Sequence, residues 1–213
     1  MLFAQTQFLK SCSAISQIPH DPLVKVGFWG RSNVGKSSIL NALIGKKKAR
    51  VSKTPGRTQL INLFECPHPK SLWCDLPGYG YAKINAQQSV VISQLLENFF
   101  IGEHAPNILC WLLDARHNMT KTDFIVLPLI ASLDCELIIV TTKNDKLSKQ
   151  QGLKQRSLLL RQLKEINLKP NVIPTAASNR DGIELLEQSL FESIVKKNIE
   201  FNQQSPNSDE VDS

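Results

Sequence analysis

Residues 30–37, GRSNVGKS, constrain this chain more than any other stretch. Gly30, Gly35, Lys36 and Ser37 satisfy the pattern G-x-x-x-x-G-K-[ST]. The run before it, VKVGFW from Val24 to Trp29, is mostly apolar and reads as a buried strand, while Lys36 to Ile44 reads as a helix stopped by Gly45. A strand that turns through glycines into a helix start gathers backbone N–H groups around one point. A polyphosphate is the anion that such a loop suits, with Lys36 on its β and γ oxygens and Ser37 offering its hydroxyl to Mg²⁺.

The rest of the chain supplies a frame for that loop. Its 213 residues, 42% hydrophobic, suit one globular domain with a sizeable core. Strand-like and helix-like runs alternate: LINLFEC, SLWCD, a helix near 87–100, ILCWLLD, a helix near 123–133 that Pro128 should kink or whose true start it should mark, ELIIVT, a helix 149–166, NVIP, and a helix 181–197. Only Pro67 to Lys70 separate LINLFEC from SLWCD, so these two form an antiparallel hairpin. The remainder predicts an α/β fold: a mostly parallel six-stranded sheet with one antiparallel edge strand and helices on both faces. Residues 1–22 read as an N-terminal extension packed on the domain, 23–199 as the domain, and 200–213 as a disordered acidic tail.

A net charge of +6 fits either a solvated basic surface or a nucleic-acid partner. Five cysteines, none paired as CxxC, argue against a disulfide frame or a zinc site and for a reducing compartment. No apolar run reaches transmembrane length, and the expected location is cytoplasmic.

Two later motifs narrow the ligand. Asp75 ends SLWCD and opens DLPG; a carboxylate there serves Mg²⁺ through water, and the N–H of Gly78 can sense a γ-phosphate. Thr142-Lys143-Asn144-Asp145 follows ELIIVT as the [NT]KxD pattern. A carboxylate accepts from both N1–H and the N2 amine of guanine, and adenine offers neither donor. The Lys143 stem can cover the base face. Thr175, Ala176 and Ala177 form a turn whose backbone can reach guanine O6. GTP and GDP are the expected nucleotides.

GRSNVGKSS, SKTPGRTQLIN, DLPGYGYAK, DARH with Asp123 following, and TKNDKL stand in an order that resembles the EngB family of bacterial ribosome-biogenesis GTPases, near Era and EngA. The likeness runs from about Phe8 to Lys197. It implies a three-layer Ras-like P-loop GTPase fold and a GTP-driven switch, needed for large ribosomal subunit assembly and for normal cell division and septation. It also implies that Thr58 ligands Mg²⁺ beside Ser37, that Gly56, Arg57, Thr58, Gln59 and Leu60 lie over the nucleotide, and that Arg31, Ser32, Val34, Leu76 and Pro77 line it. The large subunit would be the partner, and the protein a monomer. TAAS stands where the family usually carries serines.

Tyr79 occupies the position of the usual water-positioning glutamine, so intrinsic hydrolysis should be slow. In similar GTPases an asparagine at Asn33 helps hold K⁺ near the β and γ phosphates, and Lys36, Thr58, Gly78 and Asn33 are the expected catalytic set. Lys46, Lys47, Lys48 and Arg50 could meet RNA beside the moving loop, or serve solubility alone. Loops 46–59 and 76–88 are expected to move. DARH fits a bonded structural turn better than a catalytic role. Three other readings stay open: a nucleotide kinase or ATPase, an inactive scaffold, and a GTPase that regulates or assists RNA modification away from the ribosome.

Overall fold

A computed structural model describes residues 1–21, 23–45, 60–80 and 86–204. Seven strands form one sheet in the order β1-β3-β4-β2-β5-β6-β7. They are β1 (Gln7–Cys12), β2 (Val24–Gly30), β3 (Ile61–Cys66), β4 (Ser71–Asp75), β5 (Ile108–Asp114), β6 (Glu136–Thr142) and β7 (Asn171–Pro174). The α-helices are α1 (Lys36–Ile44), α2 (Ala86–Ile101), α3 (Lys121–Ser132), α4 (Lys149–Glu165) and α5 (Ile183–Gln204).

Alternation along the central strands builds two cores. Val26 and Phe28 of β2 and Cys110 and Leu112 of β5 face α1 and α5. Trp29, Leu109, Trp111 and Leu113 point the other way, toward α2, α3 and α4. Period-2 patterning of this kind, apolar on both faces, is what a covered parallel sheet requires. On α5 the expected stripe Ile183, Leu186, Leu190 and Ile194 is fully buried.

The sheet departs from expectation at one edge. There are seven strands, because Gln7–Cys12 adds β1 antiparallel to β3. The antiparallel strand, β3, is therefore internal: it pairs antiparallel with β1 on one side and β4 on the other. Five of the six residues of β1 are exposed, so the segment carries no hydrophobic alternation to read. Behind it, Phe3 is buried and packs edge-on against Trp73, with ring centroids 4.8 Å apart.

Two helix expectations also change. Pro128 lies inside α3, seven residues past its first residue, so it does not mark the helix start. Its position on the exposed face lets water reach the carbonyl that the missing N–H leaves free. The last helix continues to Gln204 because Phe201 sits three turns beyond Leu190 on the same face and packs on the core. Residues 205–213, the remainder of the expected tail, lie outside the described residues.

Candidate nucleotide site

β2 delivers Gly30 against β5, and there is no room for a side chain. A Cβ at Gly30 would lie 2.6 Å from the Leu112 carbonyl oxygen and 3.1 Å from Val34 Cγ1. The chain then turns through Asn33 (φ 62°) and Gly35 (φ 111°), both left-handed, into α1. No side chain caps α1. Among the described residues nothing takes the N–H groups of Asn33, Gly35, Lys36 and Ser37. Four donors are thus unspent at the positive end of a helix, which is an anion cradle.

The parallel β2–β4 pairing sets Asp75 beside Phe28, at the mouth of this cradle. The buried Lys36 ammonium pairs with the buried Asp75 carboxylate. Asp75 Oδ2 also accepts from the Asn62 amide at 3.3 Å, and Asn62 Oδ1 accepts from the Ser11 hydroxyl at 2.7 Å. Leu76 and Pro77 follow, with the Leu76 N–H on the Phe28 carbonyl at 3.1 Å. Gly78 passes so close that a Cβ there would meet the Gly30 oxygen and Ser32 nitrogen at 3.1 Å each. Tyr79 then pairs with the loop: its N–H donates to the Gly30 carbonyl (3.2 Å) and its carbonyl accepts from Ser32 (2.9 Å).

β6 carries the third motif to the same loop. The Thr142 hydroxyl donates to the Val34 carbonyl at 2.6 Å. Lys143, at φ 60°, bonds the Asn33 carbonyl at 2.8 Å and Asp114 Oδ2 at 2.9 Å. The Asn144 amide donates to the Thr141 carbonyl (2.8 Å) and the Thr175 carbonyl (3.1 Å), binding β6 to the 175–177 turn. Asp145 pairs with Lys146 at 3.0 Å, and hydrogen bonds, chiefly from Lys146, hold its carboxyl below the ordinary range. In the turn, the Ala176 N–H is spent on the Asp181 carbonyl at 2.9 Å; that of Ala177 has no partner among the described residues.

Three contributors were not legible as site residues. Burial alone would raise the Asp114 pKa, but hydrogen bonds from Arg116 and Lys143 hold it well below the usual carboxylate range. Asp114 is thereby the anionic seat for Lys143, and DARH is a bonded turn: the His117 N–H returns to the Asp114 carbonyl at 3.0 Å. The signal available was the strand-end position of Asp114 beside TKND, but it becomes a contact only through the β5–β6 register, Asp114 opposite Thr142.

Trp111 and Asp123 are the other two. The Tyr79 hydroxyl donates to Asp123 Oδ1 and accepts from Trp111 Nε1, both at 2.7 Å, while its ring meets Trp29 edge-on at 5.0 Å. Burial, then the Asp123 charge, pushes the Tyr79 phenol far above its ordinary pKa. Asp123 is held in turn by the capping box of α3, accepting from the Thr120 N–H at 2.6 Å and the Thr120 hydroxyl at 2.7 Å. The side chain at the glutamine position is therefore a packed anchor that cannot orient a water. Tyr79→Phe should cost about 1–3 kcal/mol, since it strands two polar groups, as read by urea unfolding. An unchanged midpoint would remove the anchor role.

Residues Gly56, Arg57, Thr58 and Gln59, the Lys46–Lys48 run and Arg50 lie outside the described residues. So do 81–85 of the second loop, whose residues 76–80 follow the path above and whose residues 86–88 already belong to α2. A cavity of about 500 Å³ opens between α3 and α4, lined by His117, Met119, Asp123, Leu153 and Leu159 and reaching Val34 and Asn144. Its lining also includes Arg31, Asp114 and Asp145, but none of Asn33, Gly35, Lys36 and Ser37. No described helix is long and apolar enough to cross a membrane.

Comparison with known proteins agrees with this arrangement. The family model described as 50S ribosome-binding GTPase matches residues 25–143. "Probable GTP-binding protein EngB" of Francisella tularensis subsp. novicida is 41% identical over 152 residues, 71% of this chain and 77% of that protein. Its counterpart in Francisella philomiragia is 39% identical over 160 residues, 75% and 81% of the two chains. Among solved structures, a probable GTP-binding protein engB superposes with a TM-score of 0.65 at 24% identity, over 81% of this chain and 99% of that one. Era bound to MgGDPNP and nucleotides 1506–1542 of 16S ribosomal RNA gives 0.65 at 23% identity, over 79% and 56%. At these identities the two structures bear on fold alone.

Proposed function

Because the chain belongs to the EngB family of GTP-binding proteins, a family of GTPases, we propose that it is a guanine-nucleotide switch acting in large ribosomal subunit assembly. One observation carries the reading of the site. Thr142 and Lys143 reach onto the carbonyls of Val34 and Asn33, so the segment that reads a base and the loop that holds phosphates form one unit. A single ligand long enough to carry both a guanine and a triphosphate spans it.

In this reading the free amides of Asn33, Gly35, Lys36 and Ser37 take the α and β phosphates. Lys36 leaves Asp75 for the β and γ oxygens, and the Gly78 N–H meets the γ-phosphate. Mg²⁺ would be held by the hydroxyls of Ser37 and Thr58, with Asp75 on its water, and it would neutralise charge developing on the transferred group. The oxygen donors present fit that ion. Asp145 reads guanine, the Lys143 stem covers its face, and Ala177 rather than Ala176 supplies the N–H to O6. Tyr79 is packed away, and Asn33, as in similar GTPases, would help hold a K⁺ ion that would add positive charge beside the phosphates. Hydrolysis by the isolated protein is then slow until a partner completes the site.

Support for a ribosomal partner is the description of the matched family model, the net charge of +6, and the basic run Lys46–Lys48 with Arg50 beside the first loop. A role in division and septation follows only through that assembly step. The test is co-sedimentation with isolated large and small subunits, in GDP and in a non-hydrolysable GTP analogue. The large subunit should retain the protein in the analogue and release it in GDP. Replacing Lys46, Lys47, Lys48 and Arg50 by Ala should weaken binding at least about tenfold and flatten its salt dependence. Equal retention in both nucleotides, or none on either subunit, would favour a GTPase working away from the ribosome.

A further inference from the structure

A second cluster lies at the other end of the sheet. β2 and β5 are parallel neighbours, so the segments that enter them meet where the strands begin, away from the phosphate loop. Asn107 ties the two approaches together: its side chain accepts from the Lys25 N–H at 2.8 Å and its own N–H donates to the Lys25 carbonyl at 2.9 Å. Just before β2 stands His20; between α2 and β5 stand Glu103 and His104.

His20 Nδ1 is 3.1 Å and His104 Nε2 is 3.5 Å from the same oxygen, Glu103 Oε1. One ligand atom from each of the three residues lies within 4.8 Å of the others. The His104 side chain is only 2% exposed, yet neither of its ring nitrogens has a hydrogen-bond partner among the described residues. An imidazole buried in this way normally finds one. An ion pair between His20 and Glu103 accounts for the first distance, and the His104 ring packs on that of His20 with centroids 5.2 Å apart, but neither contact satisfies the buried His104 nitrogens.

We propose that His20, Glu103 and His104 form a binding site for a divalent transition-metal ion, with Zn²⁺ the best match. Tetrahedral Zn²⁺ with bonds of about 2.0–2.2 Å holds its donors about 3.3–3.6 Å apart, close to the two measured separations. Two imidazoles and a carboxylate suit Zn²⁺, Co²⁺ or Ni²⁺ and not Mg²⁺, so this ion is distinct from the one that accompanies a nucleotide. Glu103 supplies the negative charge that offsets Lys25, whose field also reaches His104. Three protein ligands leave a fourth position for water. The ion would fasten the approach to β2 to the end of α2. Cysteine spacing, which argued against zinc, has no bearing here, because no cysteine takes part.

His20 and Glu103 are 68% exposed, so replacing them leaves the core intact. The full chain, stripped with EDTA and loaded with Mg²⁺ and GDP, is titrated with Zn²⁺ in competition with a chromophoric chelator. One Zn²⁺ should bind, and His20→Ala and Glu103→Gln should each weaken it at least about tenfold. Saturating Zn²⁺ should raise the Tm of the parent by about 5 °C and that of neither variant. Co²⁺ should give the intense visible band of four-coordinate cobalt in the parent alone. Cys135→Ser, which removes the least buried thiol, should change none of these readings. No bound Zn²⁺, unchanged affinity in both variants, or loss of binding in Cys135→Ser would each overturn the proposal.

Discussion

Asp145→Asn is expected to lower GDP affinity by about 10³-fold and to raise affinity for xanthosine diphosphate. The loss corresponds to about 4 kcal/mol. A charged acceptor that meets two donors of guanine is exchanged for an amide whose NH₂ opposes one of them, and polar groups in such a site cannot be left unpaired cheaply. Xanthine carries a carbonyl where guanine carries its amine, so the same amide gains a partner. The parent should discriminate against ADP by about 10⁴-fold for the same reason. Competition against a fluorescent guanine nucleotide measures all three. Equal displacement by GDP and ADP from the parent, or a variant still selective for GDP, would remove Asp145 from the base. A carboxylate is ionised throughout the neutral range, and the Lys146 pair at 3.0 Å shifts Asp145 further from it, so parent selectivity should not vary with pH between about 6 and 8.

The second large effect concerns Lys36. Lys36→Ala should abolish measurable GTP turnover, because the ammonium supplies charge where the β and γ oxygens develop it. It should also destabilise the fold by about 3–5 kcal/mol without nucleotide, because Asp75 is then a buried charge that has lost its partner. The two consequences separate in a double variant. Lys36→Met with Asp75→Leu removes both charges and should recover most of the stability while recovering no turnover. Denaturant midpoints and single-turnover hydrolysis, on the three proteins side by side, decide it. A double variant as unstable as the single one would overturn the unpaired-charge account, because methionine preserves the packing of the lysine stem.

What could be read from the sequence was whatever depends on neighbours along the chain. The loop at Gly30–Ser37 is recognisable because its turn needs glycine at set positions, and Gly30 proves to have a carbonyl 2.6 Å from where a Cβ would be. The β3–β4 hairpin follows from a connection too short for a crossover. What could not be read depends on pairs distant in sequence. β1 hid because its side chains face water and its order comes from backbone bonds to β3. The extension of α5 to Gln204 rests on one aromatic, Phe201, beyond a stretch that otherwise looks polar. The absence of glutamine at position 79 was visible; that Trp29, Trp111 and Asp123 converge to bury the tyrosine was not, since they come from three elements. His20 and His104 likewise gave no pattern, being 84 residues apart by their numbers.

The bonds from Ser11 to Asn62 and from Asn62 to Asp75 run straight across the strand order, from the rim of the sheet to the carboxylate beside Lys36. A carboxylate only accepts, so Asp75 turns the Asn62 amide with its NH₂ inward, and the Ser11 hydroxyl donates to the oxygen left facing the rim. The polar network around Asp75 thus reaches the periphery: peeling the first strand away would leave every motif in place and still take the outermost bond from the amide that faces the shared carboxylate.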